Sequence, residues 1–353
     1  MKVMIMAGGT GGHIFPANAV ADALKERGMD VHWLGSIRGM EQSIVEKLGY
    51  PFHGLPVSAW HGGKLRKLMT PINLLRSLWV CYGLFRKQKP DVVVGFGGYP
   101  SAPGGLMASM LNIPLVLHEQ NGTPGLTNKK LAHRASMVLQ AFPNTFAGQY
   151  PVVGNPVRKA LASMTKPSLR KQSPSGALNV LVLGGSLGAQ AINELMPKAA
   201  ALLKEPVNVW HQTGRGKKAS VQDQYTSGNA KVTEFIDDMA EAYRWADVVV
   251  ARSGASTVSE IAAVGLPALF VPYPWHGDKQ QYRNAEWLCN ENCAQWIEQS
   301  ELTPKVLAEK ITDWQRNREG LIAQADKAWH LGIRDSAEIM VEYIVKATQG
   351  KQA

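Results

Sequence analysis

Arg252-Ser-Gly-Ala-Ser-Thr-Val-Ser-Glu260 follows an apolar run, Asp247-Val-Val-Val-Ala251. It leads into Ile261-Ala-Ala-Val-Gly265 and a second apolar run, Ala268-Leu-Phe-Val-Pro272. The spacing is that of a strand, a Gly/Ser/Thr turn, a helix start and another strand. Such a turn presents unpaired backbone N–H groups and hydroxyls at a helix N-terminus, where an anion is favoured. Glu260 falls about one turn inside that helix. A carboxylate beside a phosphate-friendly site suits neutral hydroxyls, such as a ribose diol. The competing reading is an ordinary capping box, Ser256 or Thr257 with Glu260.

The same arrangement recurs. The run Met1–Ala7 ends in Gly8-Gly-Thr-Gly-Gly-His13, and Pro16 is expected to open a helix that Gly28 closes. Asn179-Val-Leu-Val-Leu183 ends in Gly184-Gly-Ser-Leu-Gly188, with a helix expected from about Ala189 to Lys204. Between them stand Asp91-Val-Val-Val-Gly-Phe96 with Gly97-Gly-Tyr-Pro-Ser101, and Pro114-Leu-Val-Leu-His118 with Glu119-Gln-Asn-Gly122. Polar residues at the ends of buried, parallel-type strands mark the crevice of an open α/β sheet.

The chain therefore reads as two doubly wound α/β domains facing each other across a deep cleft, each opening with a strand and a glycine turn. The expected boundaries are 1–158 for the first domain, 159–177 for a linker and 178–330 for the second. The residues from about Ile322 to Lys346 read as helical, with 331–353 as a terminal helix. A length of 353 residues agrees with two domains.

Neither glycine turn is a dinucleotide fingerprint. After Gly9 and Gly11 the third glycine would fall on Ile14, and the second strands, Val31–Leu34 and Val207–Gln212, end without an acidic residue. No Lys-Ser/Thr completes a Walker A loop. There is no Asp-x-Asp pair to hold a metal on a diphosphate. A leaving diphosphate is then expected to rely on backbone N–H groups, helix dipoles and cations such as Arg158 or Arg252. His13 stands at a helix start, where a neutral imidazole can accept a proton from an attacking hydroxyl; the plainer alternative is a phosphate-binding His.

Three cysteines, Cys81, Cys289 and Cys293, are too few for a disulfide framework, and nothing completes a metal site around the last two. The N-terminal apolar run is too short for a secretory signal core, and no run reaches the length of a spanning helix. The net charge is +10. From Lys47 to Pro90 there is no Asp or Glu, while Lys47, Lys64, Arg66, Lys67, Arg76, Arg86, Lys87 and Lys89 fall in that window. A basic block implies an anionic partner. A helix is expected from Thr70-Pro71 through Arg86, with Ile72, Leu75, Leu78, Trp79, Tyr82 and Phe85 on one core-facing side. The basic, apolar-tipped block from Trp60 to Arg86 suits an anionic bilayer surface. No nucleic-acid module is present, so nucleic acid is not expected as a partner.

Together these motifs resemble the MurG family of UDP-N-acetylglucosamine–lipid-diphospho-muramoylpentapeptide N-acetylglucosaminyltransferases. The resemblance covers nearly the whole chain. It rests on Gly8–His13, Gly97–Tyr99, His118–Asn121, Gly154-Asn-Pro-Val-Arg158, Gly184–Ser186, Glu234-Phe-Ile-Asp237, Arg252–Ala255 with Thr257–Glu260, and Gln280-Gln281. It implies a GT-B fold of two Rossmann-like domains, with the last helix packing back on the first. It also implies metal-independent, inverting transfer of N-acetylglucosamine from UDP-N-acetylglucosamine to the 4-hydroxyl of a polyprenyl-diphosphate-linked muramoylpentapeptide, in peptidoglycan synthesis. No cofactor is expected. The place of work is the cytoplasmic face of a bacterial plasma membrane, held peripherally.

Carried onto this sequence, the resemblance puts uracil near Ile236 and Arg158, and ribose on Glu260. The donor diphosphate falls by Ser186 and Ala255, Ser256 and Thr257, with Val258 and Ser259 in the same turn. Asn121, Gln280 and Gln281 meet the sugar. Thr10, Gly11 and Gly12 join the substrate-binding set with Tyr99, on the acceptor diphosphate. His118, Glu119 and Asn128 line the acceptor side, and the base is His13 or Glu119. Two departures stand out: Leu187 where such enzymes carry Gln, and a Pro274-Trp-His-Gly segment one residue longer than usual, which shifts the register of Gln280 and Gln281. The competing functions are a nucleotide-sugar epimerase, a glycolipid synthase and a non-catalytic nucleotide-sugar binder.

Overall fold

The computed structural model describes residues 1–350 except 10, 38, 40, 58–63, 171–175, 186–187 and 227–228; at 64–71 it describes the backbone path only. The chain divides into two compact units, Met1–Val157 with Asp335–Ala353, and Arg158–Arg334.

In the first unit the order is β1 (Lys2–Met6), α1 (Gly11–Glu26), β2 (Asp30–Ser36), α2 (Glu41–Lys47), β3 (Phe52–Leu55), α3 (Lys64–Gln88) and β4 (Val92–Gly95). There follow α4 (Ser101–Met110), β5 (Leu115–Glu119), α5 (Leu126–Leu131) and β6 (Met137–Gln140). The strands form a parallel sheet in the order β3-β2-β1-β4-β5-β6. Val92–Gly95 reads as a continuous buried run because both faces of this sheet are covered.

In the second unit the order is α6 (Lys159–Ala162), β7 (Asn179–Leu183), α7 (Gln190–Ala201), β8 (Asn208–Gln212), α8 (Lys218–Gln222), β9 (Ala230–Thr233), α9 (Met239–Trp245) and β10 (Val248–Ala251). Then come α10 (Ala255–Val264), β11 (Ala268–Phe270), α11 (Gln280–Cys289), β12 (Ala294–Trp296), α12 (Pro304–Arg316) and α13 (Arg318–Leu331). Its sheet runs β12-β11-β10-β7-β8-β9, the same winding as the first. The chain then returns to the first unit as α14 (Ser336–Gln349). Met340, Val341 and Ile344 of α14 share a core with Val3, Ile5 and Leu24.

In each unit the strand order reverses beside the first strand, between β1 and β4 and between β7 and β10. Ligands of open α/β sheets sit outside the carboxyl ends of the strands at such points. The Gly8 and Gly97 turns follow β1 and β4, and the Gly184 and Arg252 turns follow β7 and β10.

Several expectations need correction. Helix α1 starts at Gly11, and Pro16 lies inside it. The proline forgoes only one bond, to the carbonyl of Gly12, so the helix tolerates it. Helix α3 starts at Lys64 rather than Thr70; Leu65, Leu68, Met69 and Ile72 continue its helical spacing upstream. Its apolar residues also do not share one face. Cys81 and Phe85 are buried, but Leu75 is 60% and Trp79 75% exposed, with Ile72 and Tyr82 also exposed. The C-terminal helix is broken. At Gly332 a β-carbon would lie 2.5 Å from the Ala262 carbonyl of α10, a close approach that glycine allows. Within the stretch expected as linker, Lys159–Ala162 form a helical turn and Pro167–Leu169 a 3-10 turn.

Candidate functional site

The two glycine turns of the first unit are packed on each other. Gly98 has φ +79, and a β-carbon there would stand 2.3 Å from the Gly8 carbonyl. A β-carbon on Gly97 would touch both the His13 ring and the Asn128 amide at 3.4 Å, so these two side chains border one small space. His13 lies in the first turn of α1. Burial drives its pKa down to about 4, against a hydrogen bond with the Gly8 backbone that pulls the other way. At neutral pH the imidazole is uncharged, the form that accepts a proton. Gly11 and Gly12 lie at the start of the same helix, half-buried and exposed respectively. Tyr99 is half-buried, its ring near Gly9, and burial with the nearby Glu41 carboxylate raises its phenol.

Glu41 is a site residue that the sequence did not announce. It is fully buried at the start of α2, accepts the Ser36 N–H at 2.8 Å, and lies 3.4 Å from the Gly9 N–H. One N–H of the first glycine turn is thus turned to a carboxylate. The signal was present in Gly39-Met-Glu41, but no local spacing ties it to Gly9.

Glu119, at the end of β5, braces a turn. Its Oε1 accepts the Asn121 N–H at 3.0 Å. Its Oε2 accepts the Gly125 N–H at 3.0 Å and the Asn128 amide at 2.9 Å. Burial raises its pKa in spite of these donors. His118, wholly buried, bonds the Gly154 carbonyl through Nε2 at 2.9 Å, and burial lowers its pKa to about 4. His118, Glu119 and Asn128 are all buried rather than laid out on a surface. The inward orientation follows from their origin at a central strand's end and on the buried side of α5. Asn121 is half-buried on the braced turn.

In the second unit Gly254 is the N-cap of α10, and no side chain caps the helix. The capping-box alternative is therefore not formed, and the helix N-terminus is open to an anion. Ser256 and Thr257 are half-buried on the first turn, Ala255 is nearly buried, and Val258 and Ser259 face the core. Of the side chains of this turn, Ser256, Thr257 and Glu260 are partly exposed, while Val258 is wholly buried. Glu260 accepts the Tyr243 phenol at 3.0 Å and pairs with Arg158 at 3.5 Å. Burial raises its carboxyl, while Arg158 and Tyr243 oppose the shift. Arg158, 58% exposed, is the more exposed partner of this pair.

Ile236 is half-buried in the bend after β9, followed by Asp238, which caps α9 on the Glu241 N–H at 3.0 Å. Gln280 opens α11, and Gln281 accepts the Tyr273 N–H at 2.9 Å, tying the longer segment down. Arg252 donates to the Val271 and Pro272 carbonyls at 2.9 and 3.2 Å and to Gln299 at 2.6 Å. Those carbonyls lie just after β11, so the guanidinium fastens the loop that follows it. Thr10, Ser186, Leu187 and Trp60 lie outside the described residues.

Residues 3–140 match the glycosyltransferase family 28 N-terminal domain and residues 179–340 the glycosyltransferase family 28 C-terminal domain. A UDP-N-acetylglucosamine–N-acetylmuramyl-(pentapeptide) pyrophosphoryl-undecaprenol N-acetylglucosamine transferase of Proteus mirabilis is 45% identical, over 99% of this chain and 98% of its own. A crystal structure of Acinetobacter baumannii MurG superposes with a TM-score of 0.88 at 38% identity, covering 98% of this chain and 99% of that one. A UDP-GlcNAc 2-epimerase from Neisseria meningitidis bound to UDP-GlcNAc has a TM-score of 0.69 at 13% identity, over 98% of this chain and 100% of that one. That last likeness is one of fold alone.

Proposed function

The chain belongs to glycosyltransferase family 28, in its MurG branch, and we infer from that premise that it transfers N-acetylglucosamine from UDP-N-acetylglucosamine to undecaprenyl-diphospho-muramoylpentapeptide in peptidoglycan synthesis. The epimerase alternative shares the fold without the sequence.

The second unit takes the donor. One observation carries this half: Glu260 lies one turn inside a helix whose N-terminus no side chain caps. The diphosphate lies against the N–H groups of Ala255, Ser256 and Thr257, and the ribose diol on Glu260. Uracil stacks by Ile236 and Arg158, and the sugar meets Gln280 and Gln281. As the glycosidic bond to the diphosphate breaks, charge grows on the leaving oxygen, where a preorganised helix terminus stabilises it most. With no Asp-x-Asp in the sequence, this terminus takes the role a metal plays elsewhere.

The first unit takes the acceptor, with its diphosphate over Gly11, Gly12 and Tyr99. The acceptor 4-hydroxyl attacks the anomeric carbon from the face opposite UDP, inverting it, and gives its proton to His13. A neutral imidazole suits that step, and the shift to about 4 keeps it neutral. Both Glu119 oxygens are occupied by donors, which supports a positioning part for it: it holds Asn121 and Asn128. Peripheral attachment to the cytoplasmic face of the membrane is supported by α3, where exposed Ile72, Leu75, Trp79 and Tyr82 recur at helical spacing among Arg76, Arg86 and Lys87. No helix, among the described residues, is long and apolar enough to cross a membrane.

Calorimetric titration with UDP tests the donor half. Wild type is expected to bind and Glu260→Ala to bind at least about tenfold more weakly, the worth of roughly one charge-assisted hydrogen bond. Equal affinity in the two proteins would remove Glu260 from the site.

A further inference from the structure

Gln212 is the last residue of β8, a strand flanked by β7 and β9; in the ladders it stands between Leu183 and Thr233. The two segments proposed for the nucleotide leave the sheet on either side of it. Gly184-Gly185 follows β7, toward the diphosphate. Glu234-Phe235-Ile236 follows β9, toward the uracil.

One side chain fastens both. The Gly185 N–H donates to Gln212 Oε1 at 3.0 Å, and Gln212 Nε2 donates back to the Gly185 carbonyl at 2.9 Å. The same Nε2 donates to the Glu234 carbonyl at 2.8 Å. Gln212 is buried, whereas Gly185 is exposed with φ +76, and its carbonyl also accepts the Gly188 N–H at 2.9 Å. A primary amide is the side-chain group that can match the N–H and the C=O of one peptide while keeping a second N–H for another carbonyl. A carboxylate could take the first bond only, and an apolar side chain none.

We propose that Gln212 is a positioning residue that fixes the distance between the uracil-side and diphosphate-side segments, and so makes the unit recognise a uridine diphosphate as one rigid object rather than as two halves. It touches no substrate. Its contribution is preorganisation: with both segments held, UDP gains from each without the cost of ordering them on binding. The proposal rests on the donor reading given above.

The test compares inhibition of transfer by UDP, uridine and inorganic pyrophosphate in wild type, Gln212→Met and Gln212→Glu. Gln212→Met keeps the length and loses all three bonds. Gln212→Glu keeps an acceptor for the Gly185 N–H and loses both donations. Both variants are expected to weaken UDP about tenfold, near the worth of one net hydrogen bond. Uridine and pyrophosphate, which each use one segment, are expected to change by about twofold or less, and kcat to fall less than KM for UDP-N-acetylglucosamine rises. UDP affinity unchanged in both variants, or weakened no more than that of uridine, would overturn the proposal. If Gln212→Met does not fold, Gln212→Glu carries the same comparison. Glu260→Ala is run alongside: if it leaves UDP binding intact, the donor reading has failed, whatever Gln212 does.

Discussion

The carbonyl of Gly8 lies 2.3 Å from the point where a β-carbon on Gly98 would stand. The turn after β1 and the turn after β4 are therefore joined backbone to backbone at the place where the sheet order reverses. Gly98 also has φ +79. Gly98→Ala adds both a clash and left-handed strain, so it is expected to cost about 2 kcal/mol or more of stability. Transfer activity is expected to fall with it, since His13 borders the same contact. Urea unfolding measures the first effect, and a variant as stable as wild type would show that the turns separate freely.

His118 and His211 are both wholly buried with pKa values lowered to about 4. His211 bonds Tyr225 at 2.9 Å and Asn193 at 3.0 Å. In the unfolded chain each titrates near the ordinary value of about 6.5, so the unfolded state binds more protons in between. Their contribution is complete above pH ~6.5 and is lost as pH falls toward about 4, up to about 3 kcal/mol each. Urea midpoints are expected to drop steadily from pH 7 to 4.5. A flat profile through that window would contradict the buried, neutral state.

Glu119→Gln keeps the size of the side chain and turns an amide group toward one of the donors it now accepts. A loss of about 1–3 kcal/mol in stability is expected. Turnover is expected to fall through misplaced Asn121 and Asn128, with no displacement of the pH profile. A displaced acid limb would instead make Glu119 the proton acceptor.

Much of this architecture was legible because each strand is a short apolar run that ends in a glycine turn, and that pattern is local. Glu260 and the turn before it are likewise contiguous in sequence. What was not legible depends on contacts far apart along the chain. Arg252 looks like a phosphate ligand until β11 brings the Val271 and Pro272 carbonyls to it. Gln212 and Glu41 look like solvated polar residues until the glycine turns close over them. Helix α3 carries two apolar stripes about 100° apart, Leu78 with Cys81 and Phe85, and Leu75 with Trp79 and Tyr82. A single helical period merges them into one. Gly332 lies between the last two helices where Ala262, distant in sequence, packs closely against it.

The second stripe makes a prediction of its own. Leu75→Glu with Trp79→Glu is expected to lower binding to vesicles of anionic phospholipid by about tenfold or more, given the apolar area lost and the charge added. Turnover of a short-chain, water-soluble acceptor should change little. Sedimentation with vesicles checks it; unchanged binding would free α3 from any part in membrane attachment.

The most direct measurement is release of UDP from UDP-N-acetylglucosamine in EDTA, with and without a short-chain lipid-diphospho-muramoylpentapeptide, by wild type and His13→Ala. Release only with acceptor is expected, with His13→Ala slower by roughly 10²–10⁴-fold and UDP binding retained. The wild-type acid limb should lie nearer pH 4 than 6.5, because the base is already neutral above its lowered pKa of about 4. Release without acceptor, or undiminished turnover by His13→Ala, would contradict the account.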